Sequence, residues 1–336
     1  MSMYIEFLSI YFIIIYLTII VSQKFNFYDF PNKRKIHSHK ILNTSGLALY
    51  IYILYLIFRL DLSLSFTKII YAGLVVVLTG LIDDKRGLSP NIKLLLISIP
   101  TIYLATNGYN VTDLGVYEKI GKISLGQFYL IFTLFAVGLL TNSYNYIDGV
   151  DGLLITSLLI SITYLSILIQ DSSVINLFFY ISIALLINLI LNFLPHQNKF
   201  KIFSGNSGSL FSGFFISFLI IYFYKYYNIH PSYLIWSCWL PVYDFLYVTF
   251  VRIIKKKQFY IADKNHFHHM IFKILNKSHF KTVLFIGFVN ISVIIFAYQI
   301  CKNFGNLFSL ILFIILFKIF CMIRYLLTKY MQNNKI

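Results

Sequence analysis

Acidic residues are scarce in this sequence. Its 336 residues include 12 Asp and Glu against 28 Lys and Arg, and charged residues of all kinds make up 12% of the chain. A soluble domain carries about 25% charged residues and is about half apolar. Hydrophobic residues here reach 59%. The composition therefore excludes an ordinary soluble protein and predicts an integral membrane protein.

Cysteine is almost absent as well. Cys238, Cys301 and Cys321 lie in or beside apolar runs, without the spacing of a metal site or a disulfide set. The net charge of +16 is compatible with a nucleic-acid partner. A membrane protein, however, gains the same excess from Lys and Arg in its cytoplasmic loops, and most of these residues do lie in alternate connections between apolar runs. We therefore expect contact with the lipid bilayer and none with nucleic acid.

Long apolar runs fill most of the chain. A helix that crosses the hydrocarbon core needs about 20 apolar residues. Eleven segments are candidates, and the short fifth and sixth leave ten as the alternative. They cover residues 4–21, 44–60, 66–82, 91–106, 126–141, 153–169, 174–194, 207–224, 232–251, 281–300 and 306–327. The sequence predicts an all-α, polytopic helical bundle that forms one membrane domain over residues 1–336.

The Lys and Arg residues also predict orientation. They concentrate in the odd-numbered connections and the C-terminal tail, which places these in the cytoplasm and the N-terminus outside. The connection at 107–125 is long for an external one. Its glycines and its loose alternation of apolar and polar residues predict a small external hairpin.

Polar side chains gather on the predicted cytoplasmic face. In LTGLIDDKRGLSP (78–90), Asp83 and Asp84 follow directly after an apolar run. NSYNYIDGVDGL (142–153) offers two Asn and two Asp without Lys or Arg at the junction of two spans. Hard cations such as Mg²⁺ prefer oxygen ligands of this kind. We interpret the second segment as functional rather than as a solvated turn.

Three other cytoplasmic segments suit anions. PNKRKIH (31–37) is strongly basic, although a positive-inside anchor would look the same. KIFSGNSGSLFSGF (201–214) runs from a Gly/Ser turn into a helix whose N–H groups can hold phosphate, with a plain N-cap as the alternative. DKNHFHHM (263–270) lacks the further ligands that zinc needs, so phosphate or substrate binding is the better interpretation. A metal beside phosphates favours phosphoryl transfer, with one substrate from the cytosol and one from the bilayer.

These five motifs, in their order along the chain, resemble those of the polyprenyl-phosphate N-acetylhexosamine-1-phosphate transferases of glycosyltransferase family 4. The resemblance covers residues 28–270. The short histidine motif is closer to the O-antigen and teichoic-acid branch than to the lipid I branch. The resemblance implies transfer of a sugar phosphate from a UDP-N-acetylhexosamine to polyprenyl (undecaprenyl) phosphate, with release of UMP. The lipid product would initiate a cell-envelope polysaccharide. Mg²⁺, with Mn²⁺ as an alternative, and a site on the cytoplasmic face of a bacterial cytoplasmic membrane are implied too.

The resemblance also implies roles for residues at matching positions. The implied catalytic residues are Asp83, Asp84, Asp148, Asp151, His266, His268 and His269. The implied substrate-binding residues are Lys33, Arg34, Lys35, His37, Asn142, Asn145, Lys201, Gly205 and Ser207. The implied metal ligands are Asn145, Asp148 and Asn206. The sugar, the prenyl chain length and the oligomeric state, a homodimer included, are left open.

Two positions depart from the family. After the basic motif the family usually has prolines and a Gly-Gly pair, whereas here Ser45 precedes Gly46. The family's fourth motif reads Gly-Asp-Ser/Ala-Gly with a metal-binding Asp, whereas here Asn206 takes its place. A catalytically impaired homologue is therefore one alternative. A lipid transporter is another, but only Asp244 and Lys318 lie well inside the predicted spans, and a structural scaffold would not explain the clustered oxygens.

Overall fold

The fold is almost entirely helical. The computed structural model describes residues 2–30, 39–256 and 266–333, with backbone only for residues 2–4. The helices are α1 (Ser2–Lys24), α2 (Ser45–Arg59), α3 (Leu64–Arg86), α4 (Pro90–Thr106), α5 (Tyr129–Ile147), α6 (Leu153–Ile167), α7 (Ser172–Asn192), α8 (Gly205–Tyr227), α9 (Pro231–Leu234), α10 (Trp239–Ile254), α11 (Phe267–Ile274) and α12 (His279–Asn333). The strands are β1 (Tyr28–Asp29), β2 (Ile41–Asn43), β3 (Asp113–Tyr117), β4 (Gly121–Ser124) and β5 (Ile202–Phe203).

A helix lies at each of the eleven predicted spans, so the predicted all-α membrane bundle is confirmed. Within the described ranges, seven helical segments are long and apolar enough to cross a membrane, judged by length and composition. Helices α2, α4 and α6 are apolar but have only 15, 17 and 15 residues. Helix α12 spans both of the last two predicted segments. The predicted orientation stays a prediction.

Helix α12 reverses direction at Gly305. This glycine has a φ of 83°, a conformation that costs glycine little because it has no Cβ. The Sγ of Cys301 lies 2.8 Å from the Oγ of Ser309. Eight residues of straight helix would separate these positions by about 12 Å. The chain therefore forms two arms, residues 279–304 and 306–333, which correspond to the tenth and eleventh predicted spans.

Helix α8 is the central, most buried helix, and small residues hold its N-terminal end against α2 and α3. A Cβ on Gly46 would lie 2.2 Å from the Cα of Gly208, and a Cβ on Gly80 would lie 2.3 Å from the Cα of Ser207. Helices in membranes commonly pack this way, because small residues let two backbones approach closely. The N-terminal end of α8 therefore packs against α3 at Gly80. Asp84 lies one helical turn further along α3, close to the same end of α8.

We expect Gly80→Ala to push α3 away from α8. Its new methyl group would meet backbone atoms, and overpacking of this kind costs about 1–3 kcal/mol. Gly138→Ala is the matched control, because its Cβ would find only the Cδ2 of Leu94 at 3.8 Å. Ala favours a helix over Gly by up to about 1 kcal/mol, so the control should be neutral or stabilised. Thermal unfolding of the purified variants measures this, and equal melting temperatures would contradict the packing argument.

Two- and three-residue strands build a small sheet that the sequence did not predict. Strand β2 pairs with β1 antiparallel and with β5 parallel, with Leu42 opposite both Tyr28 and Ile202. Strands this short have no periodicity to detect, and the pairing joins distant parts of the chain. The sheet gathers Asp29, Asn43 and Phe203 from three different segments at one end of α8.

The predicted hairpin is confirmed in residues 113–124. Strands β3 and β4 pair antiparallel, with a register shift between Asp113 and Val116. The carboxylate of Asp113 accepts a hydrogen bond from Tyr224, near the C-terminal end of α8, and lies 3.1 Å from the Nζ of Lys122. The 23 residues of α8 span about 34 Å. The hairpin therefore lies at the opposite end of the bundle from the small sheet.

Candidate active site

A cavity of about 320 Å³ opens where the C-terminal ends of α3 and α5 and the N-terminal end of α8 meet the small sheet. Its lining is rich in carboxylates and amides, and no described lining residue is Lys or Arg. The lining residues are Asp29, Asn43, Asp84, Asn145, Asp148, Gly149, Val150, Asp151, Asn192, Phe203, Gly205, Asn206 and His269. Four aspartates around one cavity supply carboxylate oxygens, the ligands that a hard cation prefers.

Asp84 reaches the cavity from the last turn of α3. Its Oδ1 accepts hydrogen bonds from the backbone N–H of Asn206 at 3.0 Å and from the Nδ2 of Asn43 at 3.2 Å. Its Oδ2 is buried and has no hydrogen-bond partner among the described residues. Burying a carboxylate oxygen without a partner is costly. Asp84 therefore caps the N-terminal end of α8, where the sequence had suggested a bound phosphate. Its second carboxylate oxygen is left without a partner among the described residues and is a candidate ligand for a cation.

Asp83 occupies a different environment. Its Oδ1 accepts the backbone N–H of Leu88 at 2.7 Å, and its Oδ2 lies 3.0 Å from the Nζ of Lys93. These contacts close the turn between α3 and α4, and Asp83 does not line the cavity. Neighbouring residues on a helix point about 100° apart, which is why two adjacent carboxylates separate in this way.

Asp148 and Asn145 come from the end of α5. Asp148 follows the last residue of that helix and is open to water inside the cavity. Although this side chain reaches the water of the cavity, desolvation by the protein around it raises the pKa of Asp148 to about 8, and the negative charge of Asp84 adds to this. Asn145 donates through Nδ2 to the Oδ1 of Asn206 at 2.8 Å and to the Oγ of Ser209 at 2.7 Å. The two asparagines thus join α5 to α8 at the edge of the cavity.

Three of the described residues predicted to bind substrate lie outside this lining: Asn142, Ser207 and Lys201, the last of which lines a second opening beside it. Asn142 donates to the carbonyl oxygen of Gly138, one turn back in its own helix. Ser207 is fully buried, and its hydroxyl points to the carbonyl oxygen of Ser204 at 3.5 Å. The predicted basic residues lie outside the described residues; they are Lys33, Arg34, Lys35 and His37.

Asp151 is surrounded by basic groups. Its Oδ2 lies 2.8 Å from the Nζ of Lys201 and 3.4 Å from the Nε2 of His196. The Nδ1 of His279 lies 3.5 Å from Oδ1 and accepts the backbone N–H of Asp151 at 3.0 Å. In the described part of the chain, Asp151, His196 and His279 form the one His/acid group close enough to hold a metal. The Lys201 ammonium already neutralises that carboxylate, so we interpret the group as an ion-pair network.

A second opening of about 440 Å³ lies beside the first and shares Asp151 with it. Its lining is basic where that of the first is acidic, with His39, His196, Lys201 and His279 around it. Neither His196 nor His279 was among the residues predicted for the site. His196 lies shortly before the 201–214 segment, whereas nothing in the sequence marks His279.

Of the three histidines predicted to be catalytic, only His269 lines the cavity. A Cβ on Gly149 would lie 2.7 Å from the Nε2 of His268 and 3.0 Å from the Nε2 of His269, so both rings press on the turn after α5. Burial lowers the pKa of His268, which is therefore neutral at pH 7. The Nδ1 of His266 lies 3.0 Å from the Oδ2 of Asp244, which is therefore not an isolated charge inside a span.

Comparisons with known proteins agree with the resemblance seen in the sequence. The glycosyl transferase family 4 model matches residues 66–224, which hold the aspartate pair, the 142–153 segment and most of α8. A probable undecaprenyl-phosphate N-acetylglucosaminyl 1-phosphate transferase of Bacillus subtilis (strain 168) is 28% identical over 278 residues, covering 80% of this chain and 76% of the relative. Both findings support the resemblance to glycosyl transferase family 4. The undecaprenyl-phosphate alpha-N-acetylglucosaminyl 1-phosphate transferase of Escherichia coli (strain K12) is 27% identical over 268 residues, covering 75% of this chain and 71% of the relative.

The cavity suits a hard divalent cation. Mg²⁺ is usually held by one or two carboxylates together with water and substrate phosphates. Asp84 and Asp148 offer such carboxylates, and neither has a cationic partner among the described residues. The Oδ1 of Asn206 already accepts a hydrogen bond from Asn145. The two aspartates are therefore better placed than Asn206 to carry the ion.

Proposed function

We propose that this protein transfers an N-acetylhexosamine 1-phosphate from a UDP-sugar to polyprenyl phosphate, with release of UMP. The named relatives support the reaction class, since they are undecaprenyl-phosphate N-acetylglucosaminyl 1-phosphate transferases. The observation that carries the proposal is the position of Asp84. Asp84 lines an acidic cavity at the end of a helix long enough to cross a membrane, and its buried Oδ2 has no hydrogen-bond partner among the described residues. A lipid phosphate and a soluble nucleotide can meet at that level.

The reaction forms one bond and breaks one. An oxygen of the lipid phosphate forms a bond to the β-phosphorus of the UDP-sugar. The bond from that phosphorus to the bridging oxygen breaks, and its electron pair leaves with UMP. The lipid phosphate is already ionised at pH 7, so the attack needs no strong base. Mg²⁺, when bound, neutralises charge on the diphosphate, and Asp84 and Asp148 would hold it.

We expect the two openings to take different parts of the substrates. The opening around Lys201, His196 and His279 offers side-chain nitrogens that can bind the anionic nucleotide. The acidic cavity beside it suits the metal and the reacting phosphates. Asp151 lies in both linings and is held by Lys201, so it can orient the nucleotide where the two openings join.

The experiment is a transfer assay with the purified full-length protein. UDP-[³H]GlcNAc and undecaprenyl phosphate should give a labelled lipid, with one UMP released for each sugar transferred. A panel of UDP-sugars then identifies the preferred hexosamine. The Escherichia coli relative serves as the positive control. A folded protein that yields labelled lipid from none of the UDP-sugars would favour the alternative of a catalytically impaired homologue, which Asn206 suggests.

Asn206→Asp should lower the Mg²⁺ concentration needed for half-maximal activity. It adds a carboxylate beside the metal, and hard cations bind more tightly as carboxylates are added. We expect a shift of about 3-fold to 10-fold, equivalent to about 0.7–1.4 kcal/mol. The hydrogen bond from Asn145 survives, because a carboxylate oxygen accepts it equally well. Asn206→Ala should shift the requirement upward.

A Mg²⁺ titration of the three proteins checks this prediction. Asn198→Asp is the matched control, because Asn198 is exposed and does not line the cavity. Asn and Asp are nearly equivalent at a helix start, so a purely structural role would leave the titration unchanged. Superimposable curves for the three proteins would remove Asn206 from the metal site.

A further inference from the structure

We propose that Asp244 and Arg324 are positioning residues that hold the histidine motif against the active-site cavity. The inference rests on the proposed transfer reaction. Asp244 lies inside α10 and Arg324 inside the second arm of α12, both beyond the region that the family model matches. Neither residue lines the cavity, so their effect on the reaction is indirect.

Asp244, a residue of α10, contacts the N-terminal end of α11. Its side chain is buried, and its Oδ1 accepts the backbone N–H of Phe267, the first residue of α11, at 2.8 Å. A carboxylate at this position satisfies an N–H that the helix leaves without a partner and faces the positive end of its dipole. The Oδ2 of Asp244 lies 3.0 Å from the Nδ1 of His266. That contact favours the His266 form with a proton on Nδ1.

Arg324 supplies the charge that makes a buried carboxylate tolerable. Its side chain is 1% exposed, and its Nη2 lies 3.6 Å from the Oδ1 of Asp244. Its Nη1 lies 2.7 Å from the Sδ of Met270 in α11, and its guanidinium carbon lies 4.8 Å from the ring centre of Tyr247. A buried carboxylate needs a partner of this kind. Arg324 therefore touches both the residue that caps α11 and α11 itself.

Contacts between the histidine rings link the position of α11 to the cavity. The rings of His266 and His268 stack with their centres 5.6 Å apart, and those of His268 and His269 are 4.2 Å apart. The backbone N–H of His269 also donates to the carbonyl oxygen of His266 at 3.1 Å. Neither ring nitrogen of His268 makes a hydrogen bond among the described residues, but its Nδ1 lies 3.7 Å from the Oδ2 of Asp244. Packing and the nearby carboxylate of Asp244 therefore hold these rings, and a shift of α11 moves His269 with it.

The competing explanation is an ion pair that only stabilises the bundle. Buried ion pairs can often be replaced by uncharged residues without loss of stability, whereas removing one partner leaves an unpaired charge. Arg324→Met alone would therefore misfold under either explanation. The informative variant is the double substitution Asp244→Asn with Arg324→Met, which removes both charges. Its amide can still accept the N–H of Phe267, but its NH₂ cannot accept the proton of His266.

The test uses the full-length protein with UDP-GlcNAc and undecaprenyl phosphate. For the double variant we expect a melting temperature within about 4 °C of wild type and a kcat lowered about 100-fold, the loss typical of a displaced active-site group. The KM for UDP-GlcNAc should stay close to wild type. Asp244→Glu, which keeps the ion pair but displaces the carboxylate, should also lower kcat. Lys329→Met is the control, since Lys329 is an exposed cation of the same arm.

A second readout does not depend on activity. Hydrogen exchange of the α11 amides, residues 267–274, should be faster in both Asp244 variants, while exchange in α8 stays unchanged. If the wild-type protein transfers no sugar phosphate, the proposed function fails, and the exchange rates still decide whether Asp244 and Arg324 position α11. Wild-type kcat and wild-type α11 exchange in either folded variant would overturn the inference and leave a plain stabilising ion pair.

Discussion

Asp84→Asn is expected to lower the turnover of sugar-phosphate transfer by about 100-fold or more, on the order of 2.7 kcal/mol of lost transition-state stabilisation. The substitution removes the carboxylate of a cavity-lining residue whose buried Oδ2 packs against Gly205 and has no hydrogen-bond partner among the described residues. Its remaining oxygen can still accept the hydrogen bonds from Asn43 and from the N–H of Asn206. Turnover should therefore fall while the melting temperature stays near that of wild type. Steady-state kinetics at saturating Mg²⁺ and a thermal scan measure the two effects.

Asp83→Asn is the matched comparison for Asp84→Asn, because the two aspartates are neighbours in the chain. The resemblance implies that Asp83 is catalytic too, whereas its contacts with Leu88 and Lys93 imply that it closes a turn. A catalytic Asp83 predicts lost turnover at an unchanged melting temperature. A structural Asp83 predicts a lower melting temperature, shared by Lys93→Gln. Near-normal turnover of Asp84→Asn, at normal expression, would remove Asp84 from the reaction.

Lys201→Met should have the largest effect on stability. The Lys201 side chain is 1% exposed, and its Nζ contacts the Oδ2 of Asp151 at 2.8 Å and the carbonyl oxygen of Asn192. Removing one partner of a buried ion pair costs about 3–5 kcal/mol, because the other charge stays behind. The two imidazoles beside Asp151 offset part of this, so we expect about 3 kcal/mol. Transfer should be lost as well, since Asp151 lines both openings.

Thermal unfolding in detergent measures this effect, and Lys199→Met is its control. Lys199 lies two residues away, is exposed and carries the same charge, so its loss should leave the melting temperature unchanged. The double substitution Asp151→Asn with Lys201→Met should regain stability but not transfer, which separates the two roles of the pair. A wild-type melting temperature for Lys201→Met would contradict the buried ion-pair network.

Composition and motif order were enough to predict the class of fold and the family. Apolar length is a local property, so each predicted span could be read from its own residues, and a helix lies at every one of them. The hairpin at 113–124 was also predicted, because its glycines and its alternation lie within one short segment. The family model matched over residues 66–224 supports the resemblance that these motifs indicated, and the roles of their residues stay predictions.

Tertiary structure alone decided which of the motif residues meet. The sequence gives no sign that Asp84 faces the cavity while Asp83 turns to Lys93, because helix rotation depends on the packing of Gly80 against Ser207. Nor does it show that Asp29 and Asn43 join the lining, since strands of two or three residues leave no pattern.

The long-range contacts of the buried carboxylates are the clearest case. His279 meets Asp151, and Arg324 meets Asp244, only because the two arms of α12 pack against the rest of the bundle. Hydrophobic length and motif spacing are properties of neighbouring residues, and a sequence displays them directly. The pairing of two buried charges depends on how distant helices pack, and that becomes visible only when the whole fold is known.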